Sequence, residues 1–215
     1  MRFAYADPPY PGKARRYYSE HPDYGGEVDH GALVARLGDE FPDGWALSTS
    51  AEALPRVLAF CPPGVRVAAW FRGERPARSL RPLSAWEPVI YHGGRAVASP
   101  LQERRIDVLI HRARPRTTDP RRVIGSKPAA FAYWMFSLLG AAPGDEVVDL
   151  FPGSGIVMRC WAHAGTAQGV LEVSLAAAAD PSLVATADPS RGSARPVAFR
   201  GREGRRVALA GGCDR

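Results

Sequence analysis

The chain has 215 residues, 46% of them hydrophobic and 23% charged, which fits one ordinary soluble domain with a sizeable core and at most a small appendage. No apolar run is long enough to span a bilayer and the N-terminus lacks a secretory pattern. The three cysteines (Cys61, Cys160, Cys213) are odd in number and lack metal-ligand spacing, so a cytoplasmic protein without a disulfide framework or zinc site is expected. The formal charge of +6 is compatible with a polyanionic partner without demanding one.

In chain order, residues 3–7 read as a short strand that runs into DPPY at Asp7–Tyr10. Proline fixes φ and has no N–H, so Pro8 and Pro9 end any sheet ladder there. Residues 12–30, rich in Tyr, Gly, Pro, Asp and His, read as a long loop. DHGALVARLGDEF predicts a helix capped by Asp29, with Leu33, Val34 and Leu37 at helical spacing. GWALSTS predicts a strand, AEALPRVLAF a helix with Pro55 in its first turn, and VRVAAWFRG and EPVIYHGG two more strands.

Residues 99–125 are polar and arginine-rich, with one possible strand at IDVLIH. KPAAFAYWMFSLLG has the apolar density of a buried helix opened by proline and closed by glycine. GDEVVDLFPGSG then predicts a turn, a strand and a glycine loop, IVMRCWAHAG a helix, and AQGVLEV another strand. Residues 181–215 carry little periodicity and are expected to form a poorly ordered or loosely packed tail behind a domain at 1–180. Strands alternating with helices predict an α/β fold with a mostly parallel sheet, whose ligands sit beyond the carboxyl ends of the strands. Both candidate motifs stand at such ends.

The Gly-Ser-Gly loop after Asp149 fits a tight structural turn or a ligand cradle. It is neither a P-loop, lacking the Lys-Ser/Thr pair, nor a G-x-G-x-x-G fingerprint. Glu172 stands about twenty residues further on, where Rossmann-like folds place a ribose-binding carboxylate. The two together point to an adenosine-containing cofactor. Of the 28 basic residues only Lys13 and Lys127 are lysine, and each lies beside one of these motifs.

DPPY at Asp7–Tyr10, SKP at Ser126–Pro128 and DLFPGSG at Asp149–Gly155 together resemble the motif set of S-adenosylmethionine-dependent amino-methyltransferases. More closely, the chain resembles the adenine-N6 DNA methyltransferases of circularly permuted order, catalytic motif first and cofactor motif last. WALSTS and WEPVIYHGG are also similar to stretches of the mRNA-adenosine methyltransferases and small phage methylases. The resemblance covers residues 3–176. It implies a Rossmann-like methyltransferase fold and methyl transfer to adenine N6 in DNA, with RNA as the alternative substrate and an idle accessory subunit as another reading.

On that resemblance Asp7 and the Pro8 carbonyl accept the hydrogens of the adenine amine, Pro9 stiffens the loop and Tyr10 stacks on a base extruded from its duplex. Phe151, Gly153, Ser154 and Gly155 wrap S-adenosyl-L-methionine, Asp149 lies near its methionine part, Glu172 takes its ribose, and Ser126 and Lys127 lie by its carboxylate. Tyr17, Tyr18, Arg112 and Arg114 are the expected nucleic-acid contacts, offering stacking surfaces and phosphate partners. No metal is implied. The strand that precedes DPPY in that family has no counterpart in the residues ahead of Asp7; either RPVAF or RRVAL in the tail substitutes for it, or that edge of the sheet is missing.

Overall fold

The computed structural model describes residues 1–15, 19, 25–73, 80, 82–97, 104–112 and 126–165. The AQGVLEV strand with Glu172, the positions of Tyr17, Tyr18 and Arg114, and the tail at 181–215 lie outside them. The strands are β1 (Arg2–Ala6), β2 (Gly44–Ser48), β3 (Arg66–Phe71), β4 (Trp86–Gly93), β5 (Val108–Ile110) and β6 (Glu146–Asp149). The helices are α1 (His30–Glu40), α2 (Leu54–Leu58), α3 (Ala129–Leu139) and α4 (Ile156–Ala164). Each coincides with an element expected from the sequence to within a few residues.

Local chemistry sets the helix ends. Asp29 caps α1, its carboxylate accepting the Ala32 N–H at 3.0 Å. Pro55 sits in the first turn of α2, where its missing N–H costs nothing. In α3 every residue from Phe131 to Leu139 is buried, as a helix apolar on all sides requires. Gly140 closes it in the left-handed conformation, φ 63°, its N–H returned to the last turn of carbonyls.

One six-stranded sheet, in the order β5-β3-β4-β2-β1-β6, carries these helices. β1 is parallel to β2 and β6, and β3 to β5, while β4 is antiparallel to both β2 and β3. β4 therefore runs against all the others, and the expected parallel character holds with that single reversal. Pro88 lies inside β4, a central strand, where a proline is unusual. Its carbonyl accepts the Thr49 N–H at 3.2 Å. In an antiparallel strand a residue's C=O and N–H positions face the same neighbour, so the missing donor falls where β2 has already given way to its loop.

Alternation along the strands divides the core in two. Phe3 and Tyr5 of β1, Ala46 of β2 and Val89 of β4 face α3 and α4. Ala4, Ala6, Trp45, Leu47 and Ile90 face α1 and α2. This is the period-two reading of strands covered on both faces. Phe131 is the hub of the first core: fully buried, its ring centroid lies 5.1 Å from Trp70, 5.6 Å from Trp134 and 5.8 Å from Tyr5.

Truncating that ring leaves a cavity which three large neighbours cannot close. Phe131→Ala is expected to cost about 3–5 kcal/mol, read as the loss of unfolding free energy in a urea titration.

Candidate active site

The parallel pairing of β1 with β6 builds the site. Tyr5 stands opposite Asp149 in the ladder, and the Leu150 N–H donates to the Tyr5 carbonyl at 2.9 Å. Both strands end at the same edge of the sheet, so the Asp7–Tyr10 loop and the Asp149–Gly155 loop open side by side although Asp7 and Asp149 are far apart in sequence. β2 ends there too, with Ser48 Oγ 2.8 Å from the Tyr5 hydroxyl.

Pro8 is buried, and Asp7, Pro9 and Tyr10 are half-buried. Lys127, just ahead of α3, reaches into this corner and donates from Nζ to Asp7 Oδ2 at 2.7 Å. Its side chain is only 7% exposed, a cost that a buried ammonium repays only through close carboxylates. A second carboxylate is present: Glu87 Oε2 of β4 lies 3.6 Å from Lys127 Nζ and accepts the Tyr10 hydroxyl at 3.2 Å. Glu87 Oε1 is bridged by the Arg72 guanidinium from the end of β3. Two acids and two bases thus form a charge-balanced buried group.

The same burial biases proton affinities. Desolvation pushes the Asp7 carboxyl up, and the ion pair with Lys127 offsets only part of this. Desolvation works against the Lys127 ammonium, but Asp7 and Glu87 outweigh it and hold its pKa above the usual lysine value. Tyr10 is raised well above an ordinary tyrosine by burial and by Asp7 and Glu87, so its hydroxyl stays protonated and donates.

In the second loop Asp149 Oδ1 accepts the Phe151 N–H at 3.1 Å, folding the chain into its turn. Gly153 and Gly155 take φ of 45° and 69°, a conformation that side chains other than glycine adopt at a cost, and Gly155 caps α4. Ser154 Oγ meets Ser126 Oγ at 2.9 Å, joining this loop to the segment that carries Lys127. Asp7, Tyr10, Ser126, Lys127, Asp149 and the glycine loop therefore share one edge of the sheet.

Arg112 follows β5 on that edge, exposed, its side chain lying over Gly73. Four strand spacings separate β5 from β1, about 19 Å. Tyr17, Tyr18, Arg114 and Glu172 lie outside the described residues. Arg105, from the same arginine-rich interval, stands at the opposite end of the sheet, where it donates to the Arg95 carbonyl beside Gly140. Sequence reasoning missed Glu87 and Arg72. The available signal was an acid set in the otherwise apolar strand WEPVIY, where burial of a charge implies a partner.

Burial raises the Asp149 carboxyl from 3.8 to about 6, against the pull of the Phe151 N–H. The folded protein then holds this proton more tightly than the unfolded chain does. Stability contributed here is present at low pH and is lost as pH rises between about 4 and 6. Asp149→Asn keeps the acceptor but cannot ionise. It is expected to raise the Tm of the ligand-free protein above about pH 7 and to leave it nearly unchanged near pH 4, as followed by thermal melts across that range.

No protein-family model and no curated protein sequence matches the chain. Among solved structures it is similar to the crystal structure of an M1.HpyAVI–SAM complex, with a TM-score of 0.50 and 19% identity over 75% of this chain and 78% of that one. At that identity the likeness concerns the fold, and the two share the Rossmann-like α/β sheet expected from the sequence.

Proposed function

We propose that this protein is an S-adenosylmethionine-dependent methyltransferase acting on the N6 amine of adenine in DNA. The observation that carries the reading is the corner where Asp7-Pro8-Pro9-Tyr10, Lys127 and Asp149 converge. The fold that places them there is one found in a structure holding SAM.

The residues present fit that cofactor. It carries an ammonium and a sulfonium, and the Asp149 carboxyl, raised to about 6 by burial, gains from a cation beside it. Phe151, Gly153, Ser154 and Gly155 form a turn whose glycines allow close backbone approach. Ser126 adjoins that turn through its contact with Ser154 and suits the cofactor's carboxylate, with Glu172 assigned to its ribose. Lys127, expected beside Ser126 there, instead commits its ammonium to Asp7 and Glu87. When bound, the cofactor supplies an electrophilic methyl group.

The protein's own part is to ready the amine. The lone pair of an adenine N6 is delocalised into the ring. Hydrogen bonds from N6 to Asp7 and to the Pro8 carbonyl draw the nitrogen toward tetrahedral geometry and orient the lone pair. Pro9 prevents the carbonyl from turning away, and neither proline offers a competing N–H. The proton that N6 sheds on methylation has Asp7 beside it, and burial raises the proton affinity of that carboxyl. Fixed geometry of this kind supplies most of the acceleration. The base enters from single-stranded or locally opened nucleic acid, with Tyr10 as its stacking surface and Tyr17, Tyr18, Arg112 and Arg114 along the strand.

Incubation with tritiated cofactor and DNA or RNA of random sequence, followed by digestion to nucleosides, tests this. Label is expected in N6-methyldeoxyadenosine. Label confined to the ribonucleoside moves the activity to RNA, and cofactor binding without label supports the accessory-subunit reading. Asp7→Ala is expected to lower turnover on the order of 10²-fold or more while leaving cofactor affinity measurable by calorimetry. Undiminished turnover refutes the role given to Asp7.

A further inference from the structure

The Lys127 ammonium has two carboxylates within reach. Nζ donates to Asp7 Oδ2 at 2.7 Å and stands 3.6 Å from Glu87 Oε2. A lysine stem with four rotatable carbons covers the difference between these distances with small torsional changes. Glu87 itself is held: Arg72 bridges Oε1, the Tyr10 hydroxyl donates to Oε2, and only 11% of the side chain is exposed. The alternative acceptor is therefore a fixed one, built on a sheet strand.

Asp7 and Lys127 stand in conflict if Asp7 is to receive a substrate amine. The amine gives Asp7 one hydrogen and the Pro8 carbonyl the other. An ammonium locked on Oδ2 restricts that hydrogen to Oδ1 and draws charge from the carboxylate that accepts it, whereas a buried ammonium released without a partner is costly. We infer that Glu87 is a positioning residue which takes over the Lys127 ammonium when a substrate amine engages Asp7, so that either Asp7 oxygen is free to accept the amine hydrogen while the lysine stays paired. Arg72 and Tyr10 keep the Glu87 carboxylate from following the ammonium. This deepens the methyltransferase reading and rests on it, since the amine that displaces Lys127 is the one proposed above.

The groups facing Asp7 are Lys127 from ahead of α3, Glu87 from β4, Asp149 from the end of β6, and Tyr5 and Tyr10 from its own segment. Removing the Glu87 charge takes one anion from this set. The acid limb of turnover, where Asp7 becomes protonated, then moves to lower pH.

Two measurements on the full chain test the inference. The first needs no substrate: thermal melts of the wild type, Asp7→Asn, Glu87→Gln and the double variant form a cycle. Each single variant leaves Lys127 one carboxylate and the double leaves none, so the Tm loss of the double is expected to exceed the sum of the single losses. Additive losses overturn the shared ammonium. The second is the tritium assay across pH.

Glu87→Gln is expected to lower kcat at least tenfold, with cofactor Kd within threefold and the acid limb displaced downward. Glu87→Asp recovers part of the loss. Turnover like that of the wild type, or a loss with an unmoved acid limb, overturns the positioning role while leaving the methyltransferase reading intact. A wild-type protein that labels no nucleic acid overturns that reading, and the positioning role with it, even where the cycle is non-additive.

Discussion

The pairing of β1 with β6 is the constraint on which the rest depends. It lays Phe3 beside Val147 and Tyr5 beside Asp149, so that a loop from the beginning of the chain and a loop from residue 149 onward leave the sheet next to each other. Because the two strands are parallel, both loops exit at the same end. An antiparallel pairing of the same segments would place Asp7 and Asp149 at opposite ends of the strands, and no site would form.

Charge management in the resulting corner is the second theme. Two carboxylates, Asp7 and Glu87, flank one ammonium, and Arg72 completes a four-membered ionic group with Asp7, Lys127 and Glu87. Such groups contribute little net stability compared with apolar packing, because desolvation absorbs most of the Coulombic gain. Their value lies in placing acceptors and donors to within a few tenths of an ångström, and the aromatic core beneath supplies the rigidity. Phe131 links the two: its ring packs under Tyr5 and Trp70, and the Lys127 ammonium lies 5.7 Å from its centroid. The helix that buries the core is thus the one that delivers the lysine.

Much of the fold was legible residue by residue. The short apolar runs RFAYA and GWALS, the Asp29 cap, and the proline-to-glycine span of α3 each carry their structure locally. The reversal of β4 was not legible. WEPVIYHG is apolar in the manner of any strand covered on both faces, and nothing in that pattern records direction. The site divided along the same line. DPPY and the glycine loop are contiguous motifs with an intrinsic backbone chemistry, so they stood out. Glu87 and Arg72 belong to no motif, and their roles arise from pairing across strands.

By itself, the sequence determined where the chain turns, which segments are helical or extended, and that two stiff or glycine-rich loops end two of the strands. These properties follow from φ restrictions, missing donors and periodicity, which act over a few neighbouring residues. Only the tertiary structure decided that β1 lies between β2 and β6, that β4 runs in reverse, and that Lys127 sits on Asp7 with Glu87 behind it. Those outcomes depend on contacts between segments distant in the chain, whose energies come from burial and charge pairing in three dimensions and leave no periodic trace in one.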